Sequence, residues 1–232
     1  MATPAAVFGH NLFMGPGLRY VSVLGGVFLI SLCVLAQQPA TVSFTLDFPG
    51  SEPSHYAISV SSDGRGAYDS TGKISPEAEG DPFHLEFGVS PETRARVFDL
   101  ARRAHYFGGE IDSKKKNLAS TGSKTLIYKD DQRSTRAEYN YSMQPPVQQL
   151  TALFQNLSAT LEAGRRLEYF HRYQKLALDD ELKRMEDTER GDGLGELSMI
   201  APILRRIAED TTVINPVRVR AQRLLQKASG KS

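Results

Sequence analysis

His84 and Glu86 stand two residues apart in "FHLEF", a spacing that puts both side chains on one face of a strand. An imidazole and a carboxylate so placed could exchange protons as an acid/base pair or share a metal. A second grouping is His105 with Glu110 and Asp112, just past a helical stretch. Each also has an ordinary reading. An exposed strand face and a helix C-terminus, where the dipole favours a cation, are common places for histidine. No two histidines have the i, i+4 spacing or the H-E-x-x-H order of a zinc enzyme, so neither a metal nor a cofactor is expected.

Two further motifs fail on order. "STGSKT" (120–125) resembles a phosphate loop, but Ser123 separates Gly122 from Lys124, and the strand-like "TLIY" follows instead of a helix. A serine–lysine hydrolase needs S-x-x-K, whereas Ser120 and Lys124 are four apart. "LEYFHRYQKL" gathers Tyr169, Phe170, His171 and Tyr173 on about one helical turn. They form either a ligand or partner surface or, because aromatics dominate burial, the plug that docks helices on a sheet.

The elements that must position these residues follow from periodicity. "TVSFTLDF", "HYAISVSS" and "FHLEF" alternate apolar with polar residues, the mark of half-buried strands. "SPETRARVFDLARRA" switches to helical spacing, with Ser90 as N-cap and Pro91 at the first position. "KTLIYKDDQRSTRAEYNY" reads as a hairpin turning at Asp130-Asp131. The expected fold is α+β: an antiparallel sheet of five or six strands with one packed helix over 41–143, then a helical part of four or five helices over 147–230. In that second part Val147, Leu150, Phe154, Leu157 and Leu161 recur at helical spacing up to Gly164, which either ends the helix or marks a close contact. Further helices are expected at Asp180–Glu189 (capped by Asp179), Glu196–Asp210 and Val217–Ala228, the last begun by Asn215 and Pro216. The helical part is packed on or beside the sheet.

Compartment is read from the first 36 residues. Tyr20 to Ala36 is a run of 17 uncharged residues, ten of them Val, Leu, Ile or Phe, preceded by Arg19. Those ten favour bilayer entry by roughly 3–6 kcal/mol. With Val34-Leu35-Ala36 as a small-x-small exit, the pattern is a signal peptide cleaved near Ala36. The alternatives are an uncleaved anchor through residues 20–36, slightly short for a span, and lipidation at Cys33, which Leu32 disfavours. "MGPGLRY" from Met14 would make a more compact start than Met1.

Cleavage leaves 196 residues, with 27 Lys+Arg (28 less Arg19) against 27 Asp+Glu and no cysteine. That excludes disulfide scaffolds, thiol nucleophiles and thiolate metal sites, and a balanced exported chain suggests no nucleic-acid partner. Charge is uneven locally. Residues 179–192 carry seven acids against three bases, while Arg218, Arg220, Arg223 and Lys227 lie on the last helix with no acid after Val217. That basic face can lie on an anionic membrane or pair with the acidic helix of the same chain. Asn140-Tyr141-Ser142 and Asn156-Leu157-Ser158 match the glycosylation sequon. The expectation is therefore an exported, non-catalytic module of the envelope or secreted fraction that binds another such protein through a sheet edge or the helical part. The alternatives are an envelope hydrolase using the His/carboxylate groups and a membrane-surface binder using the basic helix.

Overall fold

A computed structural model describes residues 38–74, 79–115 and 119–230; the leader expected at 1–36 lies outside them. The alternation seen in the sequence builds β1 (Thr41–Asp47), β2 (His55–Ser61), β3 (Arg65–Ser70), β4 (Phe83–Gly88), β5 (Ser123–Lys129) and β6 (Ser134–Tyr139). They form one antiparallel sheet in the order β4-β3-β2-β1-β5-β6. Register follows burial: Phe44 sits opposite Ile58 on one side and Leu126 on the other, so the inward residues of three strands form one row. A slip by one residue would send that row to solvent. The hairpin expected at Asp130-Asp131 turns there, closed by the Asp130 N–H on the Arg133 carbonyl.

Two helices cover the apolar face. α1 (Pro91–Arg103) starts as the sequence indicates, with Ser90 Oγ accepting the Thr93 N–H at 3.2 Å, and buries Val97, Leu100 and Ala101. α2 (Pro145–Tyr173) runs for 29 residues, and its Phe154 stacks on Phe44 at 5.6 Å. Each such buried ring contributes about 1.5–3 kcal/mol. α2 continues through Gly164 because another segment passes there: a Cβ on Gly164 would stand 2.5 Å from Ile200 Cγ2.

α2 also carries the change from one core to the other. Val147 to Leu161 pack with the sheet; Ala163 and Leu167 pack with α3 (Leu178–Arg190), α4 (Ala201–Glu209) and α5 (Asn215–Ala228). Two boundaries differ from expectation. Asp179 lies inside the first turn of α3 and reaches Arg220, leaving Ala177 as an N-cap without a side-chain bond. The helix expected over Glu196–Asp210 divides into a 3₁₀ turn (Leu197–Ile200) and α4, with Pro202 in the first turn of α4. α5 begins at Asn215 with Pro216 in its first turn, as the sequence indicates. Among the described residues no helix is long and apolar enough to cross a membrane.

Candidate functional site

The histidine and carboxylate candidates take separate places. His84 and Glu86 do share the solvent face of β4, but His84 Nδ1 meets Asp69 across the strand at 2.7 Å, with both side chains 60% exposed. His105, Tyr106 and Phe107 form a left-handed 3₁₀ turn, with φ of 51°, 53° and 64°. Such backbone costs roughly 1–2 kcal/mol per residue. Here the burial of Phe107 and the packing of Tyr106 between Tyr128 and Arg133 offset it. Glu110 pairs with Lys114, while Asp112 Oδ1 accepts the N–H groups of Asn140 and Tyr141. Burial opposes ionisation of Asp112, but these backbone donors outweigh it and lower its pKa. Glu110 and Asp112 are thus tied into the loop, and His105 opens the turn before it.

The other two groupings also resolve. Phe170 packs against the helical core, and the Tyr169 ring lies tilted 5.2 Å from that of Tyr173, which is 62% exposed. The plug on the sheet is Phe154 instead. His171 holds Asp210 at 2.9 Å, beside Lys175. On α5, Arg220 bonds Asp179 and Glu186, Arg223 meets Glu186, Lys227 meets Glu189, and Arg218 donates to the Ala208 carbonyl. Three of the four bases thus pair with acids of α3, while Arg218 reaches α4. Asn156 lies within α2 and donates its amide to the Asp192 carbonyl.

The two edges of the sheet are treated differently. β6 is bracketed: Thr135 bonds the Tyr106 carbonyl near one end, and just past the other the Ser113 N–H bonds the Tyr141 carbonyl. β4 pairs with β3 alone, and no hydrogen bond from a described residue reaches its outer side. Its inward side chains Phe83, Leu85 and Phe87 are only partly buried. They form one wall of an apolar groove of about 480 Å³, floored by Leu161 and Gly164 and closed opposite by Met199 and Ile203. Glu196 fixes that far wall, since its carboxylate accepts the Ser90 N–H at 2.9 and 3.0 Å. Burial works against the charge on Glu196, yet bonds from Ser198, Thr93 and Ser90 prevail and lower its pKa.

Beside the groove, α2 holds a polar network that the sequence did not single out. Glu162, 4% exposed, accepts Tyr68 Oη at 2.9 Å and Ser70 Oγ at 2.6 Å on one oxygen. Its other oxygen lies 3.8 Å from Arg165, which donates to the carbonyls of Gly72 and Asp81 and covers the Phe83 ring. Burial, then the Glu162 charge, push the Tyr68 pKa far up, so the hydroxyl stays a donor. The one available signal was spacing: Glu162 continues the i+4 row of Leu150, Phe154 and Ser158 on the buried face. Among the described residues no group of three or more potential ligands could hold a metal. No protein-family model matches the chain, and no curated protein matches it.

Proposed function

We propose that this chain is an exported, non-catalytic interaction module, released by cleavage near Ala36, that captures an extended segment of another envelope or secreted protein along β4. The observation that carries this reading is the pairing of an unoccupied strand edge with an apolar groove directly beneath it. Strand addition uses both: backbone groups along the edge give affinity, and alternate side chains entering the groove give selectivity. The partner segment is accordingly extended, with small or medium apolar residues at every second position.

The test is capture of the partner from the exported fraction by a photo-crosslinker placed at Leu85, followed by hydrogen exchange on the isolated complex. Amides of Phe83–Gly88 should gain protection while those of β6 do not. Leu85→Lys and Met199→Glu, each checked for an intact fold by circular dichroism, should abolish capture. Protection confined to other elements, capture insensitive to both variants, or a β4-linked dimer of the chain itself would each overturn the reading. N-terminal sequencing of the exported protein should begin at Gln37; intact cytosolic protein would remove the premise of export.

A further inference from the structure

If β4 is a capture edge, the reading on which this inference rests, its backbone register decides which partner residue faces which feature. Thr71, just past β3, donates its N–H to the His55 carbonyl on β2, so Ser70, Tyr68 and Gly66 turn their backbone groups the other way, toward β4. Their partners there are Phe83, Leu85 and Phe87. The Val89 N–H continues that ladder on the Gly64 carbonyl at 3.0 Å. His84, Glu86 and Gly88 therefore direct their N–H and C=O groups outward, one donor and one acceptor each. The side chains of His84 and Glu86 lie on the solvent face, away from the groove. A partner residue directly opposite one of these three positions puts its side chain on that same face, and the residues between enter the groove.

The three outward positions differ in chemistry. His84 is already bonded to Asp69 at 2.7 Å. Glu86 makes no ion pair with a described residue; the Arg65 guanidinium on β3 is held by Asp63 at 2.7 Å. Gly88 is bare, and a Cβ there would meet no heavy atom within 4 Å. It borders a shallow concavity of about 620 Å³ on the open face, lined among others by Pro39, Ser59, Arg65, Ala67 and Glu86.

We infer that the captured segment is an amphipathic strand antiparallel to β4, with Lys or Arg opposite Glu86, an aromatic residue opposite Gly88, and apolar residues facing Leu85 and Phe87. Antiparallel pairing continues the sheet and is the more stable per residue. From its own N-terminus the segment thus reads aromatic, apolar, basic, apolar, polar. The base supplies the charge that Glu86 lacks, across a hydrogen-bonded pair whose Cα atoms stand about 5.5 Å apart. The ring covers the exposed Gly88 backbone and fills the concavity beside Ala67, where the Arg65 guanidinium flanks its face.

NMR of the labelled protein titrated with acetyl-Tyr-Val-Lys-Val-Thr-amide tests this. At saturation, exchange protection should rise at the His84, Glu86 and Gly88 amides and stay unchanged at Phe83, Leu85 and Phe87, whose N–H groups already bond β3. Replacing Lys by Glu in the peptide should weaken binding roughly 2- to 30-fold, and Glu86→Lys in the protein should reverse that preference. Replacing Tyr by Ala should weaken it roughly two- to tenfold, a difference that Gly88→Val should erase by covering the bare backbone. Equal binding of the Lys and Glu peptides, a preference that Glu86→Lys leaves unreversed, a Tyr effect that persists in Gly88→Val, or protection gained at the alternate amides would each overturn the assignment. If the peptides protect β4 regardless of these changes, the edge-strand reading stands without it; if none protects β4 at millimolar concentration, both fall.

Discussion

Gly164→Ala is the substitution whose sign distinguishes the packing described above from helix propensity acting alone. In an isolated helix, alanine is favoured over glycine by about 0.5–1 kcal/mol. Here the added Cβ would meet Ile200 Cγ2 at 2.5 Å and Ile200 Cβ at 3.3 Å, against a side chain 5% exposed. The methyl groups must separate by roughly 1 Å to reach ordinary contact, which moves either α2 or the 3₁₀ turn carrying Ile200. Overpacking of this kind costs about 1–3 kcal/mol, so the net expectation is a loss of about 1–2 kcal/mol. For a chain of this length that lowers Tm by about 2–8 °C, readable by far-UV circular dichroism. In an Ile200→Ala background the space is open, and the same change should become neutral or stabilising by up to about 1 kcal/mol, a coupling that a double-mutant cycle isolates. A single variant melting at or above the parent would refute the close approach, and with it the position of one wall of the β4 groove.

Three more outcomes follow. Burial is the first cause of the raised pKa at Tyr56, Tyr68 and Tyr139, so the folded state keeps three phenolic protons that the unfolded chain releases above pH 10.0. The folded chain then binds more protons than the unfolded one. Stability should therefore be level below pH 10.0 and fall above it by up to about 4 kcal/mol per pH unit, measured by urea titration; a flat profile to pH 11 would contradict the burial. Lys124→Met should cost about 1–3 kcal/mol, because the Lys124 ammonium bonds the carbonyls of Thr121 and Asn140 at 2.9 Å and their oxygens would be left without that donor. Arg220→Ala should cost no more than about 1 kcal/mol and become milder in high salt, since its bonds to Asp179 and Glu186 are partly solvated; a larger, salt-independent loss would mean the pairing is buried.

What the sequence shows and hides follows from the range of the forces involved. Strict alternation in "TVSFTLDF" marks β1 because half-burial is imposed residue by residue, and Ser90 marks α1 because a cap is a local bond. Nothing local separates "FHLEF" from the other strands, although it becomes one of the two edges; that is decided by which strand has a neighbour. Gly164 is equally ambiguous, since its reason lies at Ile200, 36 positions away. Asp179 resembles a cap until Arg220 competes for it. Glu162 reads as surface because it is an acid, and its burial is made tolerable by Tyr68 and Ser70, over ninety positions earlier, together with Arg165.

The difference between the edges bears on how an exposed strand can exist without pairing indiscriminately. An uncovered, flat, apolar edge invites aggregation. β4 avoids this by being amphipathic: His84 and Glu86 place polarity on its open face, while Phe83, Leu85 and Phe87 face a groove of fixed width. A segment that satisfies the backbone but is polar on both faces leaves the groove unfilled, and one apolar on both faces covers Glu86 without a partner. Only an amphipathic strand in the right register meets both demands. Glu86→Leu should therefore broaden what β4 captures and turn the isolated protein toward self-association, visible as a concentration-dependent sedimentation shift. Monomeric behaviour with unchanged capture would show that the charge on this face takes no part in selection.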